Sequence, residues 1–180
     1  MRILWVIVLL GINFMASAQT EKDLRTYVDY FPNHEIRIKS TGFIVSNALL
    51  ENDRELTIST GNVVKLGDIV RLKLVIDHGW KTRDGLVHIG GKEIIRLDDG
   101  SEVLRSDDLF ASMDEEGVSP TDAEIITMSA QITELLDKKR YAIVSFQVWD
   151  KDSDAHLSGY FPLYFQGTEP AKKQLVKLKQ

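Results

Sequence analysis

The stretch Gly67-Asp68-Ile69-Val70-Arg71-Leu72-Lys73-Leu74-Val75-Ile76-Asp77 decides how this chain folds. Val70, Leu72, Leu74 and Ile76 occupy every second position, with Arg71 and Lys73 between them. A period of two places one set on each side of a pleated strand, so one face is apolar and one is wet. Gly67-Asp68 supplies the turn that admits the strand. Such a strand needs a second apolar surface to cover it, and the sequence on both sides supplies one in the same form.

Upstream, residues 35–39 alternate strictly, residues 42–45 and 56–59 read as short strands, and Thr60-Gly61-Asn62 reads as a turn. Downstream, residues 86–89 read as a strand ended by Gly90-Gly91. Ile94-Ile95-Arg96-Leu97, Asp98-Asp99-Gly100-Ser101 and Val103-Leu104 together form a hairpin signal, because Asp-Gly accepts the positive φ of a tight turn. Residues 107–120 are acidic and irregular. Residues 119–140 carry two patterns. Ser119-Pro120 resembles a helix start, with Ile125, Met128, Ile132 and Leu135 on one stripe. Ile126, Met128, Ala130 and Ile132 also alternate with Thr127, Ser129, Gln131 and Thr133, and the strand reading is the one taken. Residues 141–149 are a firm strand after an expected turn at Asp137-Lys138-Lys139. Residues 159–165 give the last strand, where Pro162 marks an edge or a bulge.

Many short strands with turn signals between them predict an all-β fold, a single antiparallel β-sandwich with room for one short helix. The succession LGDIVRLKLVI, DDGSEVL and VSFQVWDK resembles immunoglobulin-like sandwich domains of bacterial envelope and secreted proteins, over most of residues 34–166. A fold of that kind implies no particular activity.

The ends of the chain read differently. Arg2, an apolar run from Ile3, and Ala16-Ser17-Ala18 have the form of a secretory signal over residues 1–18, cleaved before Gln19. The run is broken by Gly11 and Asn13 and is shorter than the roughly 20 residues of a spanning helix, so no transmembrane anchor is expected. Residues 19–33 read as a lead-in segment, 34–166 as the sandwich and 167–180 as a basic tail. The expected location is the periplasm or the exterior.

The chain has no cysteine, which excludes disulfides, thiol nucleophiles and zinc–thiolate sites. Its formal net charge of −5 argues against nucleic acid as a partner. Neither a phosphate-binding glycine loop nor a Gly-x-Ser-x-Gly elbow is present. Carboxylate pairs such as Asp98-Asp99 and Asp107-Asp108 lie in polar loops, where nothing raises a pKa for acid catalysis.

Two sets of residues remain as candidates. Asp150, Asp152 and Asp154 alternate after an apolar strand, and alternating carboxylates on a tight loop can supply several oxygens to calcium. The stretch VSFQVWDKDSDAHLSGYFPLYF is similar to one hairpin of the calcium-dependent membrane-binding domains of the protein kinase C and synaptotagmin type. That resemblance implies a cation held by Asp150 and Asp152, with Asp77 as the residue available on a second loop. A helix-loop-helix calcium site fails, because Ala155 and Phe161 stand where it needs Gly and Glu. His78 and His156 could join Asp77 and Asp150 around a transition metal, although no two histidines have the spacing of a metal-binding helix. The second set is aromatic: Trp80, Tyr160 and Tyr164 could form a ligand-binding platform.

The expected function is therefore an exported, non-catalytic β-sandwich binding module at the bacterial cell envelope, with a protein or glycan as ligand and no cofactor. The first alternative is a calcium-binding module using the Asp150, Asp152, Asp154 loop. The second is a hydrolytic enzyme with an unrecognised site.

Overall fold

The computed structural model describes residues 24–133 and 141–166. Among these residues ten strands form two sheets. The strands are β1 (Thr26–Phe31), β2 (Ile36–Thr41), β3 (Ile44–Glu51), β4 (Val63–Val64), β5 (Ile69–His78), β6 (Ile89–Leu97), β7 (Glu102–Ser106), β8 (Ile125–Gln131), β9 (Tyr141–Asp150) and β10 (His156–Phe165). The larger sheet runs β1-β2-β10-β9-β6-β7, with β4 added alongside the end of β10. The smaller runs β3-β5-β8. Every pairing is antiparallel except β4 with β10.

The alternation of β5 decides the core as expected. Val70, Leu72, Leu74 and Ile76 are buried, flanked by Ala48 and Leu50 of β3 and by Ile126, Met128 and Ala130 of β8. The larger sheet answers with Ile36 and Ile38 of β2, Leu157, Phe161 and Leu163 of β10, Val144, Phe146 and Val148 of β9, and Ile95 of β6. These residues form one cluster, so the protein is an all-β sandwich with its core between two sheets.

Both patterns in residues 119–133 are realised, in sequence. Ser119 accepts a hydrogen bond from the backbone N–H of Asp122 and caps a four-residue helix, α1 (Pro120–Ala123). The strand β8 begins two residues later and takes the alternating face.

Three local expectations need correction. Residues 56–59 do not form a strand. Asn52 Oδ1 accepts from the N–H groups of Arg54 and Leu56, and the tight turn returns the chain only far enough for a bridge between Thr57 and Glu51. Gly90-Gly91 do not end a strand but lie inside β6. A Cβ on Gly90 would stand 2.0 Å from Cε2 of Trp149, and one on Gly91 would stand 2.4 Å from Cε2 of Phe110. The two glycines are needed for rings to cover the strand on both faces. The stretch read as a lead-in contributes β1, which pairs along the whole of β2.

Pro162 sits where its missing N–H costs nothing. On that side of β10, β2 pairs through Tyr160 and β4 begins at Tyr164. The carbonyl of Pro162 accepts from the buried Asn62 side chain at 2.8 Å. The turn expected at 137–139, the signal at 1–18 and the tail at 167–180 lie outside the described residues.

Candidate functional site

The aspartate stretch forms the turn between β9 and β10. Asp150 is 2% exposed and its carboxylate accepts from Lys81 N–H at 2.8 Å, Asp152 N–H at 2.9 Å and Ser153 Oγ at 2.7 Å. It is an Asx-type turn that also pins the loop after β5. Asp152 faces Arg83 at 2.9 Å and receives a hydrogen bond from Nδ1 of His88 at 2.7 Å. Asp154 is exposed, and its carbonyl accepts from Nδ1 of His156. Asp77 accepts from Ser46, the residue extruded by a bulge in β3, at 2.6 Å. The carboxylates of Asp150, Asp152 and Asp77 are thus directed to separate protein partners, and that of Asp154 lies on the exposed side of the turn. Among the described residues, no group of three or more His, Asp or Glu side chains is arranged to hold a metal ion. A cation at Asp150 would have to displace the donors that shape the turn.

The three aromatic residues predicted as a platform also lie apart. Trp80 packs on Phe43 with ring centroids 4.5 Å apart, and its indole N–H is buried without a partner. Tyr164 is buried beside Tyr141, and burial pushes its hydroxyl up to about 12. Tyr160 alone is exposed, on the solvent side of the larger sheet.

That outer face is where an aromatic platform does form, with other partners. Cross-strand neighbours share a face, so registers define its rows. One row is Tyr30, Arg37, Tyr160, Ser145 and Ile94. The next is Val28, Lys39, Ser158, Gln147 and Lys92. A third is Thr41, His156, Trp149 and Gly90. The guanidinium of Arg37 lies 4.7 Å over the Tyr30 ring. The Trp149 indole lies over Gly90, half-buried, rather than in the core. Between Tyr160 and Lys92 the face sinks into a trough of about 190 Å³ lined by Ile94, Ser145, Gln147 and Ser158. The trough is open and smaller than the ~300–1,000 Å³ of enclosed small-molecule pockets, which suits a chain lying across the sheet.

The sequence reading placed Trp149 in the core or at its rim, and the register sets it on the outer face over Gly90. The sequence reading also missed Glu93. This carboxylate faces inward, opposite Phe146 and Ser106 in register, and is 2% exposed. Burial pushes its carboxyl up to about 7. The signal was present in the alternation Ile89, Gly91, Glu93, Ile95, Leu97, once the glycines are placed inside the strand.

A second polar cluster ties loops together. Lys151 reaches Asp108 at 2.6 Å and also Asp114. Asp108 in turn accepts from the N–H groups of Gly91 and Phe110. These groups are mutually engaged and fix the acidic loop over the edge of the core.

No family model matches this chain, and no curated protein matches it. Among solved structures it is similar to the C-terminal domain of wzt, with a TM-score of 0.42 and 11% identity over 82% of this chain and 83% of that one. At that level of similarity the likeness carries no argument about this chain.

Proposed function

We propose that this protein is exported and that its mature form is a non-catalytic sandwich module that binds a glycan at the bacterial cell envelope. The site is the outer face of the larger sheet. The observation that carries this reading is the arrangement of that face: the exposed ring of Tyr160 borders a shallow trough lined by Ile94, Phe146 and Gly159 as well as Ser145, Gln147 and Ser158, and the half-buried ring of Trp149 stands beyond it. The two rings stand about 14 Å apart along the strands, judged from the strand rise. Between them lie the hydroxyl of Ser158 and the amide of Gln147. Sugars present both C–H faces, which stack on aromatic rings, and hydroxyls, which need donors and acceptors. The row Lys39, Ser158, Gln147 and Lys92 is polar and ends in charges, whereas the centre of a protein interface is depleted in charged residues.

Export is supported by the charged, apolar and small-residue order of residues 1–18. Among the described residues no helix is long and apolar enough to cross a membrane.

Tryptophan fluorescence titration with a panel of neutral and acidic polysaccharides tests the binding reading. The Trp149 emission should shift with at least one polymer and the shift should vanish in Trp149→Phe. A panel that leaves both proteins unchanged would overturn it. Export is checked separately, by the mass of the protein recovered from the envelope, which should begin at Gln19.

A further inference from the structure

Resting on that reading, we propose that the glycan is acidic: a carboxylate-bearing polysaccharide held across the strands by Lys39, Lys92 and Arg37. The second row of the outer face runs Lys39, Ser158, Gln147, Lys92 in unbroken register over four strands. Three strand spacings separate its ends, about 14 Å. A cation therefore stands at each end of a polar track, with the trough in between.

The sign of this charge is unusual for the molecule. The chain carries a formal net charge of −5. Yet the outward positions of β1, β2, β10, β9 and β6 hold no aspartate or glutamate. Lys39 has Val28 and Ser158 as its cross-strand neighbours, neither able to neutralise it. Arg37 is spread against the Tyr30 ring, which orients the guanidinium without neutralising it. Lys92 reaches Asp107, an exposed residue from the following loop, at 2.6 Å. On the smaller sheet, by contrast, Lys73 faces Glu51 on the adjacent strand at 3.6 Å. Lys39 and Arg37, which their cross-strand neighbours do not neutralise, are matched by an anionic ligand, and Lys92 joins them by exchanging the exposed Asp107 for it. A planar guanidinium also suits a carboxylate in a paired hydrogen bond. A neutral glycan would leave these charges unused.

The test compares polygalacturonate with its fully methyl-esterified form, the same backbone without the charge, by calorimetry on the full-length protein. Polygalacturonate should bind and the ester should bind at least about tenfold more weakly, the loss of one charge-assisted hydrogen bond or more. Lys39→Ala should weaken binding of the acidic polymer while leaving that of the ester unchanged. Asp107→Asn frees Lys92 and should strengthen acidic binding about threefold, an effect of opposite sign that no misfolded variant would give. Equal binding of both polymers would overturn the acidic assignment and leave the glycan reading standing. Binding of neither, nor of any polymer in the panel, would overturn both. Acidic binding unmoved by Lys39→Ala and Asp107→Asn would place the contact elsewhere and overturn the site.

Discussion

The two sheets are built by the same alternation and have different surfaces. In the smaller sheet, β3, β5 and β8 bury small and branched apolar residues on one side and show Arg71, Lys73, Glu51, Thr127 and Ser129 on the other. None of its three strands carries an aromatic residue. In the larger sheet three glycines, Gly90, Gly91 and Gly159, lie within strands, a carboxylate is buried on the inner face, and rings stand on the outer face. A surface that only needs to be wet is satisfied by threonine, serine and matched charges. Departures from that economy gather in the larger sheet, the sheet on which the proposed binding face lies.

This contrast can be broken most easily through the plain sheet's core. Leu74→Ala should cost about 3 kcal/mol in urea unfolding, since Leu74 is fully buried and its neighbours come from both sides. Binding at saturating polymer should survive wherever the protein stays folded. A loss of binding in the folded variant would tie the two sheets together more closely than the contrast implies.

Glu93 sharpens the comparison through pH. Its carboxyl titrates near 7 when folded against about 4.5 in the unfolded chain, so the folded state holds the extra proton between those values. The stability of the wild type is therefore highest below pH 4.5 as far as this group is concerned. It should fall as pH rises towards 7, by up to about 3 kcal/mol. Glu93→Gln should flatten that slope and exceed the wild type in stability at pH 8. Identical pH profiles for the two proteins would show that the carboxylate finds solvent or a donor.

Gly90→Ala probes the space under Trp149. A methyl group there meets the indole, and the overpacking should cost about 1–3 kcal/mol, with a change in Trp149 emission. Gly100→Ala, where a Cβ meets nothing but φ is +85°, is the comparison for strain without crowding and should leave the emission unchanged. The smallest effects belong to Thr127→Ala and Tyr160→Ala, one on each outer face. Both should lie within about 0.5 kcal/mol in stability, as exposed positions do. Only Tyr160→Ala should reduce polysaccharide binding. If both or neither reduced it, the two faces would not differ in function.

The fold was legible where hydrophobic period and turn chemistry agreed. β5 and the β6–β7 hairpin follow from GDIVRLKLVID and DDGS alone, because local pattern and global burial point the same way. β6 was misread at its start, because glycine in a strand usually signals a break and only tertiary packing shows a ring on each side. The short helix before β8 was legible from Ser119-Pro120, but its length was set by the competing alternation that follows. The site was much less legible. Trp80 and Tyr164 are aromatic residues in plausible places, yet their exposure depends on Phe43 and on Tyr141, which the sequence does not place beside them. The aspartates were visible as a cluster. That Asp150 also accepts from the backbone N–H of Lys81, 69 residues away in sequence, could not be read locally. The outer-face rows depend on the pairing of β2 with β10, more than a hundred residues apart, and no local signal carries that register.

The same pairing governs the order of assembly. β10 fills the middle of the larger sheet, between β2 and β9, with Tyr160 opposite Arg37. Until residues 156–165 have left the ribosome, β1 and β2 have no sheet to join, and their hairpin alone is marginal. Closing so long a loop is slow relative to local contacts, so the chain should fold in milliseconds to seconds after synthesis rather than during it. A chain that stays open until its last described strand arrives is one that a translocation channel can still thread.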